Sequence, residues 1–152
     1  MDGVGEMSGG TRTLLAPPER LVERHLQLSS DKIRRYGSFT EDPNPIHYDA
    51  AFAAKTVFGK PIAHGTFTLN TLWAAVTATF GSNALSGMMA DLRFVKPVVE
   101  NDTVTARGEL IASMPPTYRV IIADSDGAPV VEGQLTWPET KGAGQASGYE
   151  RP

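Results

Sequence analysis

The chain has 152 residues, 41% hydrophobic and 20% charged, which is the size and composition of one globular domain rather than a disordered or fibrous polymer. Fourteen basic against seventeen acidic residues give a net charge of -3 without any basic run, which argues against nucleic acid as a partner. Cysteine is absent, which excludes disulfides, a thiol nucleophile and thiolate metal ligands, and no apolar stretch is long enough to cross a bilayer.

Residues 1–18 and 139–152 are rich in Gly, small residues and Pro, and both are expected to be flexible tails flanking a single domain over 19–138. The start, MDGVGEMSGG, has neither a basic opening nor an apolar signal core, so the expected location is the cytoplasm. LVERHLQL, residues 21–28, alternates and predicts a first strand, with Leu21, Glu23, His25 and Gln27 on one side and Val22, Leu26 and Leu28 on the other. Ser29, Ser30 and Asp31 then offer N-caps for a short helix, DKIRRYGSF. Asp49 can cap a second short helix, AAFAAKTVF, ended by Gly59 and Pro61. The longest apolar-periodic segment, residues 66–80, predicts a helix of about four turns, with Leu69, Leu72, Trp73, Val76 and Phe80 on one face. Four alternating runs follow, MMADLRFVKPVV, DTVTARGELIAS, TYRVIIADS and APVVEGQLTWP, separated by turn residues. One strand, one long helix and a meander of four strands predict an α+β domain whose antiparallel sheet curls around the helix. The free edges of such a sheet predict pairing with a second copy.

Between the two short helices stands EDPNPIHYD, residues 41–49. Proline fixes φ, lacks an N–H and drives the preceding residue out of the α region, so Asp42 and Asn44 are expected to be extended and the Pro-Asn-Pro core to be a stiff loop. Two prolines lower the entropy lost on ordering that loop, and the Asn44 side chain can brace it through local backbone bonds. Asp42 and His47 are thereby preorganised to converge on one small volume. A carboxylate and a neutral imidazole facing one water can both accept its protons and return one to a nearby atom.

These residues resemble the (R)-specific enoyl-CoA hydratases and MaoC-like dehydratases, which adopt the hot-dog fold. The resemblance runs through DPNPIH, residues 42–47, on to Asp49 and Phe52. It continues in PIAHG, residues 61–65, and more weakly in LRFVKPV, residues 92–98. It implies syn hydration of a trans-2-enoyl thioester, or the reverse, with Asp42 and His47 activating water and the Gly65 N–H stabilising the thioester oxygen. The carrier would be coenzyme A or the phosphopantetheine arm of acyl carrier protein, with no further cofactor. Helix physics supports the role of Gly65 independently, because the first turn of a helix presents unpaired N–H groups and glycine permits close approach. The family commonly has a small residue and Gly before the Asp, where this chain has Thr40 and Glu41. Some members carry a polar helix residue where Trp73 stands.

Leu69, Leu72, Trp73 and Val76 can line an acyl tunnel as well as the core. Lys55, Lys60, Arg93 and Lys96 can reach phosphates, Lys60 and Lys96 being the chosen candidates, or simply be solvated charges. His64 reads as a buried structural residue, His25 as a surface or edge residue, and Asp49 as an N-cap. A metal bound by His47, His64 and Asp42 or Asp49 has chemically suitable ligands, but no metal-binding spacing recommends it and none is expected. Two other functions compete: a hot-dog thioesterase, disfavoured because residues 66–80 contain no acidic residue, and a subunit of a heteromeric dehydratase.

Overall fold

The computed structural model describes residues 16–138, so the expected tails lie outside the described residues apart from 16–18. Within that span the Pro18 carbonyl accepts a 2.6 Å hydrogen bond from the Tyr118 hydroxyl. Five strands form one antiparallel sheet: β1 (Arg24–Gln27), β2 (Met89–Phe94), β3 (Thr103–Ser113), β4 (Pro116–Ala123) and β5 (Pro129–Thr136). Their spatial order is β1-β3-β4-β5-β2. The helices are α1 (Ser30–Thr40), α2 (Ala50–Ala53) and α3 (Gly65–Phe80).

Local chemistry accounts for the helix starts. Ser29 caps α1 through its hydroxyl and the Lys32 N–H, and the Asp49 carboxylate caps α2 by accepting the N–H groups of Ala51 and Phe52 at 2.9 and 3.0 Å. Helix α2 is shorter than predicted. The Thr56 hydroxyl takes the Ala53 carbonyl at 2.7 Å, and the Lys55 N–H bonds the Phe52 carbonyl three residues back, so the chain tightens into turns. The next residue, Val57, is β-branched and exposed, and offers no packing to restore the helix.

Strand β1 also differs from expectation. Leu21 is buried and Val22 exposed: Arg20 already bridges Glu109 of β3, the Val22 N–H turns aside to the Thr79 hydroxyl at 2.8 Å, and pairing with β3 resumes one residue out of step at Arg24, opposite Ala106. The predicted meander of four is a meander of three, since β2 pairs with β5 and not with β3. The link between β2 and β3 carries Pro97 and pairs instead with the segment before α3. Ala63 N–H bonds Val98 O at 2.8 Å, and Glu100 N–H bonds Pro61 O at 2.9 Å.

The inner face of the sheet alternates as a half-buried sheet should: Val104 and Ala106 on β3, Tyr118, Val120 and Ile122 on β4, and Leu135 on β5 are all buried. Against them lies the buried stripe of α3, which is Thr68, Thr71, Leu72, Ala75 and Val76. The predicted stripe is thus rotated. Short side chains occupy its centre, Leu69 and Trp73 flank it, and Phe80 packs on Tyr118 and Trp137 with ring centroids 5.6 and 5.0 Å apart.

Candidate active site

Helix α1 ends at Glu41, whose φ of 54° and ψ of 36° are left-handed. That conformation turns the chain sharply, and the Asp42 N–H closes the turn on the Gly37 carbonyl at 2.9 Å. A side chain at positive φ costs roughly 1–2 kcal/mol, which explains the glycine that the resembling enzymes commonly carry before the Asp. Glu41 itself is exposed and does not enter the site. Glycine recovers the strain but adds unfolded-state entropy. Glu41→Gly is therefore expected to raise stability by about 0.5–1 kcal/mol, measured by urea denaturation; an unchanged or lower midpoint would contradict the strain argument.

After Asp42-Pro43, Asn44 sits at φ -59° and ψ 117°, extended as the following proline requires. The Pro-Asn-Pro core is not wholly loop, however: residues Pro45–His47 form one 3-10 turn, capped by the Asn44 side chain accepting the Ile46 N–H at 3.1 Å. The same asparagine donates its backbone N–H to Asp42 Oδ1 at 3.1 Å. One carboxylate oxygen is thus held and Oδ2 is left to face the imidazoles.

His47 Nδ1 lies 2.7 Å from the Ile62 carbonyl. A carbonyl only accepts, so Nδ1 carries a proton, and in the neutral ring Nε2 then presents a lone pair. Nε2 stands 3.8 Å from Asp42 Oδ2. The Ile62 N–H bonds the Ile46 carbonyl at 3.2 Å, so this residue grips the loop from both sides. His64, only 4% exposed, stacks on His47 with ring centroids 3.7 Å apart, and its Nε2 lies 3.7 Å from the same Asp42 Oδ2. Burial, followed by the neighbouring His47, lowers its pKa, and the Asp42 charge offsets part of that.

His64 was expected to be buried and structural; it is buried, but it also faces the carboxylate. Tyr48, which nothing in its neighbouring sequence marks out, donates its hydroxyl to the Asp42 carbonyl at 2.7 Å and holds it 3.1 Å from His64 Nε2. Burial and, next, the charge of Asp42 raise its pKa, which keeps it a protonated donor. Asp42, His47 and His64 present ligand atoms within 4.8 Å of one another, a set able to take a metal ion by composition alone.

Gly65 opens α3 immediately after His64 and is exposed. The first bond into the helix is from Thr68 N–H to His64 O at 3.1 Å, and among the described residues the Gly65 N–H has no partner. A Cβ at Gly65 would stand 2.9 Å from the Phe94 ring. Beside it runs an apolar trough of about 290 Å³, lined by Phe58, Ile62, Gly65, Phe94, Val98 and Val131 among others. Leu69 and Trp73 pack against the core and do not line this trough, whereas Thr68 does. Lys96 reaches the trough but is bound to Asp124 at 2.6 Å, and Arg93 is paired with Glu132. Lys60 and Lys55 are exposed, and His25 lies exposed on the edge strand β1.

The MaoC-like domain model matches residues 15–115. The chain belongs to the MaoC-like family. It is 31% identical over 97 residues to a 3-hydroxybutyryl-CoA dehydratase of Methylorubrum extorquens, covering 64% of this chain and 62% of that one. It is 32% identical over 81 residues to an (R)-specific enoyl-CoA hydratase of Aeromonas caviae, covering 53% of this chain and 60% of that one. These matches span about three-fifths of the relatives' length. Among solved structures, an (R)-hydratase from A. caviae involved in PHA biosynthesis superposes with a TM-score of 0.67 at 26% identity, covering 82% of this chain and 96% of that one. The MaoC-like chain thus has the hot-dog fold, with its five-stranded sheet left open.

Proposed function

We propose that the protein adds water across the double bond of trans-2-enoyl thioesters to give (R)-3-hydroxyacyl thioesters, or catalyses the reverse dehydration. The observation that carries this reading is the 3.8 Å gap between Asp42 Oδ2 and His47 Nε2. Both atoms are acceptors when Asp42 is ionised, so they do not bond each other. A water between them can donate one proton to each and turn its lone pair outward. Its oxygen forms the new bond to C3, the π electrons move toward C2 and the thioester oxygen, and the proton surrendered to the pair returns to C2 on the same face. In this reading the Gly65 N–H at the helix start receives the thioester oxygen as charge develops there, a role supported by its lack of a partner among the described residues. The names of the relatives support the thioester class and coenzyme A as the carrier; a phosphopantetheine arm is the alternative carrier in this proposal, which invokes no further cofactor. The trough beside Gly65 receives the acyl chain. The thioesterase alternative needs a carboxylate on the central helix, and α3 has none.

The working unit in this proposal is a homodimer joined along β2. That edge strand carries the exposed apolar side chains Met89 and Phe94, with Val95 just beyond, beside the charged Asp91 and Arg93, whereas β1 at the other edge exposes Arg24, His25 and Gln27. A heteromer with a related chain on the same edge is the alternative.

Incubation with a panel of short to long trans-2-enoyl-CoA and 3-hydroxyacyl-CoA thioesters, followed by enone absorbance and chiral analysis, tests the reaction. Loss of the enone signal with (R) product is expected; thioester cleavage to free thiol, or (S) product, would overturn it. Light scattering of the same sample is expected to show a dimer. A fully active monomer would remove the interface from the proposal.

A further inference from the structure

Three of the four groups with which Asp42 can bond are already held. Its N–H goes to the Gly37 carbonyl at 2.9 Å, its carbonyl takes the Tyr48 hydroxyl at 2.7 Å, and Oδ1 takes the Asn44 N–H at 3.1 Å. Only Oδ2 is unassigned, and two imidazoles stand at almost the same distance from it, His47 at 3.8 Å and His64 at 3.7 Å. The site therefore needs something that makes the two rings unequal. Tyr48 is in contact with one of them. A phenol carries a single proton, and the carbonyl of Asp42 can only accept, so that proton is committed to the carbonyl. The 3.1 Å contact between the phenol oxygen and His64 Nε2 must then be donated by the ring nitrogen. That leaves His64 Nδ1 as the bare nitrogen, and among the described residues it is buried without a hydrogen-bond partner.

The hydroxyl has a prepared place. A Cβ built on Gly37 would lie 1.5 Å from the Tyr48 oxygen and 2.7 Å from its ring carbon, so the missing side chain on α1 forms the notch that the phenol fills.

We propose that Tyr48 is a positioning residue: its hydroxyl, seated against Gly37, pins Asp42 by the main chain and holds His64 as the Nε2–H tautomer, so that His47 is the one ring offering a lone pair to the shared water. This deepens the hydratase reading and rests on it for the catalytic consequence. The tautomer pattern itself does not depend on that reading.

Long-range 1H–15N correlation spectra read tautomers directly, and the chain has only three histidines to assign, His25, His47 and His64. The unaltered protein is expected to show His64 protonated at Nε2 and His47 at Nδ1. In Tyr48→Phe, His64 is expected to become a mixture of tautomers while His47 stays as it was. Turnover of an enoyl-CoA that the unaltered protein hydrates is expected to fall about tenfold with KM nearly unchanged, the effect of losing one orienting hydrogen bond. Gly37→Ala fills the notch from the other side and is expected to give the same tautomer change with the phenol still present. His64 protonated at Nδ1 in the unaltered protein overturns the proposal without any variant having to fold. So does Tyr48→Phe with unchanged tautomers and turnover. The stated tautomers in a protein that hydrates no enoyl thioester would uphold the tautomer assignment and sink the hydratase reading instead.

Discussion

Asp42→Asn is expected to lower hydration of a good enoyl-CoA substrate by roughly 100-fold to 10,000-fold while leaving fold, assembly and thioester affinity nearly intact. The amide keeps an oxygen in the place of Oδ1, so the bond from the Asn44 N–H, 3.1 Å in the parent, survives. At Oδ2 it places an NH2 group, a donor, where the water needs an acceptor. That NH2 also meets the Nε2–H of His64 and the lone pair of His47, and it satisfies the latter at the expense of the water. Stopped-flow turnover alongside equilibrium binding of a non-reactive saturated acyl-CoA separates the two effects. Groups that act as a unit lose their effect together, so His47→Ala and the double variant are expected to be little worse than Asp42→Asn alone. Near-parental hydration by Asp42→Asn would reduce residues 41–49 to a rigid connector.

Gly65→Val is expected to cost on the order of 100-fold to 1000-fold in turnover, the usual price of one lost oxyanion donor. The new side chain covers the approach to an N–H that has no partner among the described residues, and its Cβ would meet Phe94 at 2.9 Å. Packing and chemistry can be told apart by adding Phe94→Leu. Phe94 is 54% exposed, so its truncation relieves the clash at small cost to the core, but it also lines the trough and stands on the proposed β2 interface, so Phe94→Leu alone is the reference for stability, assembly and rate. The double variant is expected to regain thermal stability without regaining rate. Recovery of both together would mean that Gly65 serves packing and that its N–H does not touch substrate.

The parts of this site that sequence reveals are those written in neighbouring residues. Ser29 and Asp49 announce helix starts because their side chains reach N–H groups two or three residues on, and the Pro-Asn-Pro stretch is stiff for reasons internal to itself. The apolar period of α3 and the alternation of the last four strands are likewise local properties. The partner of β2 is not local, since its alternation fits β3 as well as β5; the choice is made by the connection that pairs residues 98–100 with 61–63. The same limit hid the roles of Tyr48 and Ile62. Nothing in HYD distinguishes a core tyrosine from one whose hydroxyl meets His64, sixteen positions away, and a backbone carbonyl such as that of Ile62 leaves no trace in composition. The left-handed turn at Glu41 was masked for a different reason, because an acidic residue occupies a conformation that ordinarily signals itself by glycine.

The two borders of the sheet are chemically unlike, and this bears on where association stops. Two copies meeting β2 to β2 would do so about a twofold axis, which would consume the β2 border of both at once. What then remains at either end of the joined sheet is β1, four residues long and dressed with Arg24, His25 and Gln27. A short, charged border is a poor template for another strand. In the proposed dimer, growth by strand addition would stop after a single step, and the protein would be kept from running on into ribbons. A chain in which Arg24 and Gln27 were both made apolar would lose that terminus, and open-ended polymer at high concentration would be its mark.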